Sequence, residues 1–504
     1  MGQLSCKEYR SEMEEDRNIP VDMYSKKTGQ NSGKTRSPDS PQNFKNQDFI
    51  ELRDYYHSHG LLFEDPTFPA DISSIGPKVL SEDNLHKIEW IRPTVIQKNP
   101  SLFVDGVSRF DIHQGQVGDC WVLAALGSVT RQQRFLERVI PKDQGFKNNY
   151  AGIFHFRLRG SYSNLHWGFL AEALVDFTGG VQLSFNLQKH QESLYKILKT
   201  ASMTDCVMGC NTFGAVQSKN SPANMVLRNG IVQGHAYTIV DATEVPYRKG
   251  KKYLIRLWNP YGNTEWQGAW SDSSTEWDHI PRSYKENLYQ NRLDGEFWIS
   301  YEDFKANFSF VFICNDAPTF LDFGEPFSTT WSVDRHTNNW TSQPSLGGYL
   351  SRNPQYYIQV KEPEMRSNNV VLTLSQKSAK YAGIGFQIVK VNCFNISYTV
   401  SKGRTVRFVE PLQRVRDVSN CYTLSPGTYI IIPAMAPKGR ESEFLLQIFL
   451  KRPIQNTLRG NSTELDPVMT KDFPMWNQGI SYETIFLRYA NQTSQLDASQ
   501  LQRI

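Results

Sequence analysis

The most continuous apolar run in the chain is Cys120-Trp-Val-Leu-Ala-Ala-Leu-Gly-Ser-Val129, and it follows the glycine-punctuated polar stretch Gln114-Gly-Gln-Val-Gly-Asp119. This pattern predicts a short apolar helix beginning near Cys120 behind a turn. Upstream, Phe49-Ile50, Leu52 and Tyr55-Tyr56 recur at helical spacing, and Gly60 closes that helix before Leu61-Leu-Phe-Glu-Asp-Pro66. Downstream, Gly234-His-Ala-Tyr-Thr-Ile-Val240 and Tyr253-Leu-Ile-Arg-Leu-Trp-Asn-Pro-Tyr-Gly262 read as strands joined by the turn-forming run Pro246 to Gly250. Mirror pairing about position 247 would place His235 opposite Asn259, with Cβ atoms about 4.5–5.5 Å apart. Beyond Ile313-Cys-Asn-Asp316 the pattern changes to short alternating segments: Val370–Leu374, Gly385–Val389, Thr405–Val409, Thr428–Ile432 and Phe444–Leu450. With turn signals at Ser425-Pro-Gly427 and Pro437-Lys-Gly439, these read as a β-sandwich. Tyr482–Tyr489 and Leu496–Ile504 return to helical spacing, leaving Ile485, Phe486 and Leu501 as apolar positions prone to association.

Chemistry concentrates where the first helix and the hairpin begin. A thiol at Cys120 faces the unpaired N–H groups of a helix N-terminus, and Asp119 is placed to cap that helix. Both features predict an exposed thiol with a lowered pKa. Gln114 can turn its amide to the same point as an oxyanion donor. Read separately, Cys120 is a buried helix start, His235 a core histidine and Asn259 a strand-ending residue before Pro260. Read together, they form a nucleophile, a base and an orienting amide.

Composition narrows the class. Lys plus Arg is 55 against 51 Asp plus Glu, so a net charge of +4 over 504 residues excludes a polyanion-binding protein, and no nucleic-acid partner is expected. The polar N-terminus and the absence of a run of membrane-spanning length point to a soluble, cytoplasmic chain. Seven scattered cysteines fit reduced thiols, and Cys206-Val-Met-Gly-Cys210, with no second ligand pair, reads as core packing.

With the words QGQVGDCWVLAAL, QGHAYTIVDATEV, NPYGNTEWQGAWSD and DGEFWISYEDF in this order, the chain resembles the calpain family of cysteine proteases from about Asn43 onward. The resemblance implies an α+β fold: a two-lobed papain-like protease core followed by an antiparallel β-sandwich. Its boundaries are a disordered tail over 1–42, a first lobe over 43–176, a second over 177–316, the sandwich over 317–453, and over 454–504 a linker with the truncated start of an EF-hand domain. It assigns the nucleophile to Cys120, the base to His235, the orienting amide to Asn259 and the oxyanion amide to Gln114. Tyr261 stands where the family has tryptophan.

The resemblance also implies calcium as cofactor. A second-lobe site uses Glu265, Asp272, the Arg292 carbonyl, Asp294 and Glu296. A partial first-lobe site uses Asp111 with the carbonyls of Val104 and Gly106. Without the resemblance, Asp294 and Glu296 read as a solvated turn. No Asp-x-Asp-x-Asp-Gly loop occurs, so no EF-hand-mediated dimer is expected. For the sandwich, binding phospholipid and merely bracing the protease both stay open.

One departure is large. Family members run through further strand and helix before the Asp-Phe-Thr-Gly-Gly motif, whereas this chain crosses directly from Arg157 to Asp176 and loses the remaining first-lobe calcium carboxylate. The first lobe is therefore incompletely packed or closed in another way. The expected function is calcium-dependent intracellular endopeptidase action on protein substrates; the alternative is a catalytically inactive calpain-like scaffold.

Overall fold

The computed structural model describes residues 47–76, 82–103, 106–115, 117–147, 149–156, 168–189, 193–213, 225–322, 329–340, 353–361, 368–377, 381–391, 405–408, 412–436 and 441–453. The expected tail, linker and C-terminal helical segments fall outside these residues, as does Val104. The chain forms two compact units, Met1–Glu325 and Pro326–Ile504.

The first unit is built on a six-stranded antiparallel sheet of β1 (Val181–Asn186), β2 (Val207–Thr212), β3 (Ala236–Tyr247), β4 (Gly250–Trp258), β5 (Glu296–Ser300) and β6 (Phe308–Asn315), in the order β1-β6-β2-β3-β4-β5. β3 and β4 form the expected hairpin, but its register is not the mirror pairing about position 247. The turn is tighter and later: Tyr247 pairs with Gly250, and Arg248 takes the left-handed conformation at φ 53°. A bulge between Ile239 and Asp241 then shifts the ladder, so Thr238 pairs with Trp258. Continuing that register sets Asn259 level with Tyr237 rather than His235.

The predicted helix spans Cys120–Val129 and buries Trp121, Val122, Ala124, Ala125, Gly127, Ser128 and Val129. A helix apolar on all sides must be covered on several faces. It packs against the helix Leu170–Thr178 and against β2 and β3, in one core with Phe135, Leu136, Leu174, Phe177 and Phe312. Two polar ties fix it to the sheet: the Thr238 hydroxyl donates to the Ala124 carbonyl at 2.6 Å, and the Met208 N–H donates to the Ser128 hydroxyl at 2.7 Å. The halves expected on either side of Asp176 thus pack as one body.

The N-terminal stretch is lightly packed. Phe63 and Ile75 are buried there, but the helix Phe49–Ser58 has no buried residue, and Val95 and Ile96 are 76% and 70% exposed. The Cys120–Val129 helix, by contrast, is covered by Leu170–Thr178. Cys206 and Cys210 are both buried, Cys210 within β2.

The second unit is a β-sandwich. One sheet holds β11 (Thr405–Phe408), β10 (Gly383–Val391), β14 (Gly427–Ala436) and β8 (Tyr356–Val360), with β12 (Gln413–Arg414) on β10. The other holds β13 (Asp417–Tyr422), β9 (Val370–Lys377), β15 (Ser442–Pro453) and β7 (Thr329–Trp340). Leu372, Leu374 and Leu446 of one sheet share a core with Ile384, Phe386 and Ile431 of the other. All five alternating segments lie in these strands, apart from Val409, which is outside the described residues. Strand β7, Thr-Thr-Trp-Ser-Val-Asp-Arg-His-Thr-Asn-Asn-Trp, is too polar to announce itself by alternation. Among the described residues, no helix is long and apolar enough to cross a membrane.

Gly127 permits the close approach of helix and hairpin: a Cβ there would lie 2.6 Å from Cζ3 of Trp258 and 2.8 Å from the Thr238 hydroxyl. Gly127→Ala should therefore destabilise the unit by about 1–2 kcal/mol, overpacking outweighing the better helix propensity of alanine. Urea unfolding followed by tryptophan fluorescence checks this, and an unchanged or higher midpoint would refute the tight contact.

Candidate active site

Both His235 and Asn259 sit at the site end of the hairpin, 1% and 0% exposed. His235 is held through its backbone, its N–H donating to the Thr212 hydroxyl at 3.0 Å and its carbonyl accepting from the Thr212 N–H at 3.0 Å. Although the register offsets the two residues, the chain turns at Asn259 and brings the side chains together, His235 Nε2 to Asn259 Oδ1 at 2.8 Å. Asn259 Oδ1 also accepts from the Tyr261 N–H at 3.1 Å, and Nδ2 donates to the carbonyl and hydroxyl of Thr264 at 3.0 and 2.8 Å. The Tyr261 ring stacks on the imidazole, centroids 4.4 Å apart and planes 16° apart. Nδ1 is buried without a hydrogen-bond partner, and the next residue along the strand, Ala236, turns its N–H to the Cys120 sulfur.

Cys120 begins its helix as expected, but its environment corrects two expectations. Asp119 occupies the N-cap position without capping: its side chain makes no cap hydrogen bond, and Oδ1 is buried without a partner. The thiol is half-buried rather than exposed, and its pKa is raised to about 11 rather than lowered. Burial is the main cause. The N–H groups of Ala236, Trp121 and Cys120 favour the thiolate, but they do not outweigh burial and the nearby Asp119 charge. Burial likewise lowers His235 to about 4 despite its Asn259 partner, so the resting pair is a neutral thiol and a neutral imidazole.

Gln114 lies beside this group, its backbone N–H donating to the Pro260 carbonyl at 3.1 Å. Its amide Nε2 is engaged by the Val117 carbonyl at 2.9 Å, while Oε1 is buried and unpaired. The amide is turned onto its own loop, with its N–H rather than its oxygen engaged.

A family description, "Calpain family cysteine protease", matches residues 63–159 and 157–315, two stretches that meet where the short crossing begins. The chain belongs to the calpain family of cysteine proteases. A second description, "Calpain large subunit, domain III", matches 336–449 in the sandwich of this calpain. It is 37% identical to Calpain-13 of Rattus norvegicus, over 92% of this chain and 76% of that one. It is 30% identical to Calpain-14 of Homo sapiens, over 93% and 76% respectively. Calpain-A of Drosophila melanogaster is 31% identical over 91% of this chain and 65% of its own.

The acidic residues of this calpain fall into two unlike groups. In the second half, Glu265 Oε1 accepts from the Asp294 and Gly295 N–H groups at 2.9 and 2.8 Å. Asp272 Oδ2 accepts from the Arg292 N–H at 3.0 Å, and Asp294 Oδ1 from the Glu296 N–H at 3.0 Å. Asp272, Asp294, Glu296 and Arg292 line a small cavity with Arg256. Burial first, then repulsion from Asp272 and Asp294, raises Glu265; burial and the charges of Asp294 and Glu296 raise Asp272. Oxygen donors in mutual repulsion fit a hard divalent cation. Glu296 is the exception, because the guanidinium groups of Arg109 and Arg256 both pair with it. The Arg292 carbonyl accepts the Asp294 N–H at 3.0 Å. Among the described residues, no three acidic groups close into a ligand cluster.

The expected first-half group is only partly within the described residues. Asp111 Oδ2 accepts from the Ser108 N–H at 2.8 Å in a capping box, Gly106 bends through φ 96°, and Val104 lies outside the described residues. Sequence reasoning also passed over Thr264, Thr238, Arg109 and Arg256. A polar residue shortly after Asn259, in the same tight turn, was the available signal for Thr264.

The ultraviolet thiolate absorbance of Cys120, read as the difference between the parent and Cys120→Ala, should be absent at pH 7 and emerge only towards about pH 10–11, following a thiol of pKa about 11. Thiolate absorbance already present at pH 7 would contradict the neutral resting pair. Because the folded pKa of His235, about 4, lies below the ordinary 6.5, its contribution to stability is full above 6.5 and is lost as pH falls from 6.5 towards 4. Arg256→Met, which leaves Glu296 buried with one partner fewer, should cost about 3–5 kcal/mol in denaturant unfolding. A loss below about 1 kcal/mol would mean that Arg109 alone suffices.

Proposed function

We propose that this protein is a calcium-dependent cysteine endopeptidase that cuts extended segments of other proteins in the cytoplasm. The observation that carries the reading is the Asn259–His235 pair, which leaves the second imidazole nitrogen bare, one residue before the Ala236 N–H that meets the thiol at a helix start. His235 Nδ1 takes the Cys120 proton, and the thiolate adds to a peptide carbonyl. The Cys120 N–H and the Gln114 amide, released from Val117, hold the oxyanion. His235 then protonates the leaving amine, and water, deprotonated by the same imidazole, frees the acyl group.

Glu265, Asp272, Asp294 and the Arg292 carbonyl would hold calcium, with Glu296 joining if its arginine pairs open. The cation would supply positive charge that relieves their repulsion.

Purified protein with millimolar calcium should cleave casein, lose that activity in chelator, and carry an epoxide thiol label on Cys120. Cys120→Ala should abolish both cleavage and label. A folded chain that neither cleaves nor is labelled would sink the proposal. The neutral resting pair and the short crossing favour a second reading, a silent scaffold. Its mark would be partner binding by Cys120→Ala together with no turnover by the parent chain.

A further inference from the structure

The amide of Asn259 has two ends of similar shape, and only one orientation makes His235 a base. Oδ1 faces the Tyr261 N–H, a group that can only donate, and Nδ2 faces the Thr264 carbonyl, a group that can only accept. These two partners settle which end is which. With Oδ1 toward the imidazole, Nε2 must carry the proton and Nδ1 must offer a lone pair. A flipped amide would set Oδ1 against the Thr264 carbonyl and present N–H groups to Nε2. The proton would then move to Nδ1, where no base is left.

Nδ2 has a second hydrogen, and the Thr264 hydroxyl takes it at 2.8 Å, a shorter contact than the carbonyl's 3.0 Å. Without that hydroxyl, one N–H of a fully buried amide would lack this acceptor. We infer that Thr264 is a positioning residue: its hydroxyl, with its carbonyl, locks the Asn259 amide and thereby fixes the His235 tautomer that accepts the Cys120 proton. The inference rests on the roles proposed for His235 and Asn259, but not on turnover.

The variants are Thr264→Val, which keeps the branched shape and removes the hydroxyl, and Thr264→Ser, which keeps the hydroxyl. Nitrogen-15 NMR of ring-labelled full chain reads the tautomer directly, and iodoacetamide labelling of Cys120 at fixed pH reads base assistance. The parent and Thr264→Ser should show the Nε2–H form. Thr264→Val should show a mixture, with labelling about two- to tenfold slower, as the loss of one hydrogen bond implies. Where casein is cut, kcat should fall with KM unchanged. A purely structural role would lower the melting temperature without moving the tautomer. Should Thr264→Val not fold, Thr264→Ala against Thr264→Ser makes the same comparison. A valine variant matching the parent in tautomer and labelling, or a serine variant behaving like valine, overturns the inference. Failure of the parent to cut casein would count against the proposed function and leave the tautomer result standing.

Discussion

The seating of the Cys120–Val129 helix on the central hairpin sets where the Cys120 thiol lies relative to the His235 imidazole, because the two residues share no covalent neighbourhood. Ala124 and Ala125 present almost no side chain, Gly127 presents none, and Trp258 fills the space this leaves. Small residues on one partner and a large ring on the other allow close packing without a void. The Thr238 hydroxyl then fixes the position along the helix axis, since a bond to the Ala124 carbonyl tolerates little sliding. Thr238 lies on the same strand as Ala236, whose N–H meets the Cys120 sulfur, so one strand positions the helix and also lines the thiol. The placing of the thiol beside the strand is a consequence of core packing, and the turn from Asn259 to Thr264 then supplies the partner of the imidazole.

The acidic loop is joined to the same hairpin through Gly295. Its N–H donates to Glu265 at 2.8 Å, and its carbonyl accepts the Asn259 N–H at 2.8 Å. Its φ of 82° and the closeness of a would-be Cβ to Gly262 Cα (2.8 Å) and the Asn259 carbonyl (2.9 Å) exclude any larger residue. Thr264, which holds the Asn259 side chain, is the residue before Glu265. The Glu265 carboxylate is thus linked to Asn259 twice, through the backbone by Gly295 and through the side chain by Thr264. A shift of that carboxylate has to be shared by the amide that orients the imidazole.

What the sequence made legible follows from how local each signal was. The apolar run from Cys120, the two hairpin strands and the alternating segments of the sandwich are short-range patterns, and the elements formed where those patterns lay. The register did not follow. A bulge at Val240 and a two-residue turn at Arg248 shift the pairing, and neither leaves a mark in hydrophobic periodicity. The thiol's ionisation was illegible for a different reason. Helix-start N–H groups are a local feature, while the burial that overrides them comes with packing against β3, whose Ala236 meets the sulfur from more than a hundred residues away in the chain. Asp119 shows the same limit: residue type suited it to cap, yet its φ of −108° and ψ of 15° depart from the extended conformation that aims a capping side chain.

A neutral resting pair is compatible with nucleophilic chemistry if charge separation brings its own stabilisation. The sulfur already has the N–H groups of Ala236, Trp121 and its own residue turned toward it, so the anion would enter a partly prepared site. The imidazole has Asn259 Oδ1 at 2.8 Å to support a proton on Nε2, and the Tyr261 face beside it. Each group therefore lacks one thing only, the opposite charge of the other. In a buried setting that missing attraction is large, and each ion would pull the partner's pKa toward the paired form. Nδ1 has no hydrogen-bond partner, so in the proposed mechanism it is the nitrogen free to receive the thiol proton, and the spacing between it and the sulfur would decide how readily it does so. The Thr238 tie, the Gly127 contact and the Thr264 lock all bear on that transfer. This is why residues that never touch a substrate are expected to govern how fast the thiol reacts.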